Sequence, residues 1–155
     1  MAGVVFRPAQ LADIDTLTPF IRELYGQDHI VFALPRVRHA LSRLIDDPLF
    51  GRAWVIEHES DPVGYLLVTF GYSVEFGGRD AFVDELFVHA SHRGRGIGSQ
   101  ALRVAEECCR ELGIGALHLE VERDNAAAQR LYRAKGFVDH ERYLMTRRIE
   151  LPDPR

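Results

Sequence analysis

Arg93-Gly94-Arg95-Gly96-Ile97-Gly98-Ser99 lies between the apolar run 81–88 and a helical pattern over 97–112, and the rest of the chain is arranged around it. Glycine at every second position removes side chains where a backbone must approach something closely. The helix behind aims unpaired N–H groups at the same spot, and its start carries roughly half a positive charge. With Arg93 and Arg95 beside it, the natural guest is a phosphate or pyrophosphate.

Two common phosphate loops are a poor fit. A dinucleotide fingerprint needs Gly-x-Gly-x-x-Gly, but counting from Gly94 or Gly96 the third glycine is Ser99 or Ala101. A P-loop needs Lys followed by Ser or Thr, and no lysine precedes Lys135. Glu120, at the end of the next strand, sits where a ribose-binding acid would, but three antiparallel strands come first and too little chain follows for a second half-sheet.

Outward from the loop, residues 81–88 read as a strand and Ile97, Ala101, Leu102, Ala105, Cys108 and Leu112 form one apolar helix face closed by Gly113. Residues 116–122 alternate as a strand. A strand–helix–strand order makes the two strands parallel, joined by a right-handed crossover. Asn125 caps a last helix over 126–135, with Gly136 at its C-terminus. Residues 137–139 and 143–149 are expected to close the sheet, and 151–155 form a tail.

Toward the N-terminus, 4–7 reads as a first strand. Ile14, Leu17, Ile21 and Leu24 mark a helix ending near Gly26, and Val37, Leu41, Leu44 and Ile45 mark a second, stopped by Asp47-Pro48. Strands follow at 53–58 and 63–72 around a turn at Ser60-Asp61-Pro62, and a Gly77-Gly78 hairpin leads into 80–88.

The chain has 155 residues, 46% of them hydrophobic, so one domain is expected over 1–150. A net charge of −4 with dispersed arginines argues against nucleic acid and favours a cationic substrate. Met1-Ala2-Gly3-Val4-Val5-Phe6-Arg7 lacks a basic region followed by a long apolar core, no run reaches the length of a membrane span, and a cytoplasmic location is expected. Adjacent Cys108 and Cys109 suit helix packing rather than a disulfide or a metal site, and no metal is expected.

The loop Arg93–Gly98 resembles the Arg/Gln-x-x-Gly-x-Gly/Ala pyrophosphate loop of the GNAT family of N-acetyltransferases. Phe82-Val83-Asp84-Glu85-Leu86-Phe87-Val88 and Asn125-x-x-Ala128-x-x-Leu131-Tyr132-x-x-x-Gly136-Phe137 strengthen the likeness, whereas the first fifty residues match only in element order. The resemblance implies a mixed α/β acyl-CoA N-acyltransferase fold, in the order β-α-α-β-β-β-α-β-α-β with splayed central parallel strands. The strand and loop look most like small-amine and polyamine acetyltransferases, and the stretch from Leu119 to Tyr132 is also similar to enzymes that acetylate protein N-termini.

The family likeness implies acetyl-CoA as co-substrate, its pantetheine arm on Leu86, Phe87 and Val88. Its pyrophosphate would fall on Arg93, Gly94, Arg95, Gly96, Ile97, Gly98 and Ser99, near Asn125. It also implies Tyr132 as the acid that protonates the departing thiolate. Asp84 matches the water-mediated base of polyamine acetyltransferases, with Glu85 its acidic neighbour, while Glu120 matches the glutamate of the N-terminal enzymes. Which carboxylate acts stays open, as does the acceptor: a small-molecule or peptide amine. Asp84 and Glu85 are expected on opposite faces of their strand. The expected reaction is direct attack in a ternary complex; the alternative is a catalytically silent acyl-CoA-binding module. Pairing through the closing strands would give a homodimer, which the sequence leaves open.

Overall fold

In the computed structural model, residues 3–152 are described; residues 153–155 of the expected tail lie outside them. Strand β1 (Val4–Pro8) leads through a short 3-10 turn at Leu11–Asp13 into α1 (Ile14–Gln27) and α2 (Leu34–Asp46). Three strands follow, β2 (Gly51–His58), β3 (Asp61–Ser73) and β4 (Gly78–Val88), then α3 (Ile97–Glu111), β5 (Leu117–Leu119) and α4 (Ala126–Ala134). The five strands form one sheet in sequence order, antiparallel except for the parallel pair β4–β5.

Alternation along β3 divides the core. Tyr65 and Leu67 point to one face, where α1 and α2 bury Ile14, Leu17, Ile21, Val37 and Leu41 against them. Leu66 and Val68 point to the other, against Ala101, Ala105 and Cys109 of α3. Both cysteines are therefore buried packing residues with free thiols. The β2–β3 turn falls one residue earlier than its sequence indicates: His58 pairs with Asp61, and Glu59 and Ser60 take φ of 53° and 70°. Two consecutive positive φ values match the twist of the flanking strands better than a turn through Pro62.

One irregularity shapes everything downstream. Val68 pairs with Val83 but Leu67 pairs with Glu85, so Asp84 is an extra residue in β4. The strand changes parity there: Ala81 and Val83 pack on the α3 side, whereas Phe87 packs on the α1 side. The bend that accompanies a bulge also carries β4 away from β5, which is paired only from Ala81↔Leu117 to Val83↔Leu119. The parallel strands thus splay, and the strand expected over 116–122 shortens to three residues because its partner leaves.

The expected closing strands do not form. Residues 137–152 hold no helix or strand and are exposed except for Phe137. Side chains anchor the start of this segment instead: Arg133 donates to both oxygens of Asp139, at 3.0 and 2.6 Å, and Arg142 to both of Glu75, at 2.9 and 3.1 Å. These contacts lead the backbone to α4 and the β3–β4 hairpin rather than along β5. Among the described residues no helix is long and apolar enough to cross a membrane.

Candidate active site

The splay between β4 and β5 opens a cleft of about 2310 Å³. One wall is the stretch of β4 from Asp84 to Val88, whose other edge is held by β3. The opposite wall is Leu119, Glu120 and Val121 with Asn125 and Tyr132. Past Val83 the β4 edge facing the cleft has no strand partner among the described residues, so its amide and carbonyl groups, apart from the Val88 carbonyl, are open to a ligand that runs alongside.

The glycine loop closes one end. Gly94 and Gly96 have φ of 74° and 79°, a conformation that disfavours any side chain, although a Cβ at either would meet open space. Their glycines are thus required by the backbone turn itself. Gly98 differs: it is helical, and a Cβ there would lie 3.7 Å from Leu131 Cδ2, an ordinary contact. Gly96 is the N-cap of α3 and supplies no side-chain hydrogen bond, so among the described residues the first-turn N–H groups have no side-chain cap. Ser99 lines the cleft beside them.

Two loop residues are committed to structure. Ile97 is 2% exposed and packs with Ile56 and Val63, anchoring the helix start. Arg93 Nε donates to the Val88 carbonyl at 2.9 Å, and its guanidinium lies 5.7 Å from the Phe87 ring centre. It ties the loop back to the strand end and occupies one acceptor position of Val88. Arg95 is exposed on the loop.

Asp84 and Glu85 are not on opposite faces. The bulge turns both toward α1, where they line the same apolar hollow beneath α1 and α2. The Tyr25 hydroxyl donates to Glu85 Oε2 at 2.9 Å and the Tyr65 hydroxyl to Oε1 at 2.8 Å. Desolvation pushes the Glu85 carboxyl above its ordinary range; the two phenol hydrogen bonds oppose this and the Asp84 charge adds to it. Asp84 is exposed along one side of the strand, and partial desolvation on the other raises its carboxyl, with no opposing hydrogen bond or cation among the described residues. Burial and the Glu85 charge raise both phenols, Tyr25 and Tyr65, so they remain donors at any ordinary pH.

Tyr132 is half-buried on α4, faces the cleft, and makes an edge contact with Phe137 at 6.0 Å between ring centres. Desolvation raises its phenol too. Asn125 caps α4, Oδ1 accepting from the Ala128 amide at 3.1 Å. Glu120 stands exposed just past β5. Two further acids are already engaged, Glu75 by Arg142 and Asp80 by His118 Nε2 at 3.1 Å. Tyr25 and Tyr65 escaped sequence reasoning because each sits at an apolar position of its own element. Their only signal was a hydroxyl aimed into a core that also receives a strand carboxylate.

Comparison with known proteins shows the family. Residues 18–137 match the model of the acetyltransferase (GNAT) family. A thialysine N-epsilon-acetyltransferase of Bos taurus is 30% identical over 148 residues, covering 90% of this chain and 86% of that protein. An integron cassette protein from the mobile metagenome of Cole Harbour Salt Marsh superposes with a TM-score of 0.83 at 31% identity, covering 95% of this chain and 91% of that one. An aminoglycoside N-acetyltransferase solved in complex with CoA shares the fold, with a TM-score of 0.82 at 14% identity and 96% coverage of both chains. With its splayed parallel strands, glycine-capped helix and matching family model, the chain belongs to the GNAT family of acetyltransferases.

Proposed function

We propose that this acetyltransferase moves the acetyl group of acetyl-CoA to a primary amine by direct attack in a ternary complex. The observation that carries the reading is the junction of two hollows. The β4–β5 cleft and the smaller hollow beneath α1 and α2 share Tyr25, Asp84 and Glu85, so a ligand in each would meet at the carboxylates.

The residues present suit acetyl-CoA. The open β4 edge from Leu86 to Val88 can pair with an amide-bearing arm, and the uncapped start of α3, with Gly94, Gly96, Gly98 and Ser99, offers N–H groups to a diphosphate. Arg95 adds charge at the loop.

An alkylammonium must lose a proton before it attacks. With a pKa of about 10.4, that costs about 4.6 kcal/mol at pH 7. Asp84 takes this first proton; its raised pKa narrows the gap to the amine's. Glu85, fixed by two phenols, holds the ammonium by charge and orients it. As nitrogen bonds to the acyl carbon and the carbon–sulfur bond breaks, Tyr132 gives its proton to sulfur and is restored by the second nitrogen proton. Glu120 lines the far wall, away from the junction of the two hollows, and Asp84 carries the base role in its place.

A silent acyl-CoA-binding module would need neither desolvated carboxylates nor a phenol in the cleft. Calorimetry with acetyl-CoA, followed by thiol release in the presence of primary amines, tests the reading. Heat without thiol release for any amine would leave binding alone, and no heat would remove the cofactor assignment.

A further inference from the structure

Resting on that reading, we infer that the hollow beneath α1 and α2 selects an acceptor with one ammonium group and an uncharged apolar body, and rejects diamines and polyamines. The hollow measures about 480 Å³, within the usual range for small-ligand sites. Its walls are Ile21, Val37, Leu41, Leu44 and Leu67, from α1, α2 and β3. Asp84 and Glu85 stand where it meets the cofactor cleft. An ammonium held there projects its substituent along the apolar walls.

Charge argues against a second ammonium. Among the described residues that line this hollow, the charged groups are Asp84, Glu85 and Arg43. Arg43 belongs to α2, with its guanidinium 5.6 Å from the Phe50 ring centre, and both residues line the hollow. Beyond the two carboxylates and the tyrosine, the one side-chain acceptor that lines the hollow is the neutral Thr69 hydroxyl, so a distal ammonium would leave water for a mostly apolar wall with no second carboxylate to pair it, near a like charge. Two other acids, Glu75 and Asp80, do not help, because they are paired elsewhere.

The test compares hexylamine with 1,6-diaminohexane, which have equal chain length and differ by one ammonium, using acetyl-CoA and thiol release. Hexylamine is expected to show a kcat/KM at least tenfold higher. Arg43→Glu, on an exposed position of α2, places an acceptor at the hollow and is expected to narrow that ratio severalfold. Ala40→Trp, also exposed and lining the hollow, is expected to raise KM for hexylamine while calorimetry shows acetyl-CoA binding unchanged. Equal or reversed preference overturns the inference, as does turnover of neither amine by protein that binds acetyl-CoA. Failure to bind acetyl-CoA at all overturns instead the reading on which it rests.

Discussion

The Tyr65 hydroxyl donates to Glu85 Oε1 at 2.8 Å, joining a fully buried residue of β3 to the carboxylate just past the β4 bulge. Because this hydrogen bond favours the ionised carboxylate, Tyr65→Phe should raise the Glu85 pKa further. If Glu85 must be ionised to hold the ammonium, the acid limb of the kcat/KM profile moves to higher pH. The fold should lose about 1.5–3 kcal/mol, the usual contribution of a hydrogen bond to a charged group. A pH–rate profile and a urea titration check both, and an unmoved acid limb would detach Glu85 from the reaction.

Asp84→Asn should separate activity from stability. Loss of a general base lowers kcat/KM roughly 100-fold or more. The fold, in contrast, gains slightly: Asp84 has a raised pKa, so its contribution favours the native state below the ordinary carboxylate range and is lost as pH rises through the raised value, but its side chain is exposed and solvent screens most of the effect. The variant should therefore melt at a higher Tm than the parent at pH 7, with the difference vanishing in acid. A lower Tm at pH 7 would contradict the desolvation argument.

Gly96→Ala and Gly98→Ala distinguish two reasons for a glycine. At φ 79°, alanine at 96 should cost roughly 1–2 kcal/mol and weaken acetyl-CoA binding by disturbing the turn. Alanine at 98 enters a helix with room for it and should raise stability by up to about 1 kcal/mol. Weaker acetyl-CoA binding by that stabilised variant, measured calorimetrically, would mean that the ligand itself presses against position 98.

Tyr132→Phe removes the proposed proton donor while keeping the ring that contacts Phe137. The expected loss is roughly 100-fold in kcat with KM and Tm unchanged. An unaffected kcat under single-turnover conditions would assign Tyr132 to packing.

Much of the fold was legible in the sequence because its signals are local. Periodicity located α1, α2 and α3, and the glycine loop separated β4 from the crossover helix. The bulge at Asp84 left no such mark, since Phe82 to Val88 reads as an unbroken strand; only its pairing with β3 reveals the extra residue. That one residue explains why both carboxylates face α1 and why β5 stops at Leu119. Tyr25 and Tyr65 were illegible for a related reason: their partner lies 60 and 20 residues away. The closing strands failed because the apolar and β-prone residues of 143–149 indicate only the capacity to pair, whereas the ion pairs of Asp139 and Arg142 settle where the segment runs.

The three-residue pairing of β5 has an energetic consequence. One wall of the cleft is held along its length by β3, whereas the other hangs from a short tether and continues into a helix, α4, none of whose residues is buried. Local opening free energy should accordingly fall between Gly78–Val88 and residues 117–134. Part of whatever free energy a bound coenzyme releases goes into immobilising that second wall, so measured affinity understates the contacts made. Amide exchange should slow far more in 117–134 than in 78–88 when acetyl-CoA is added.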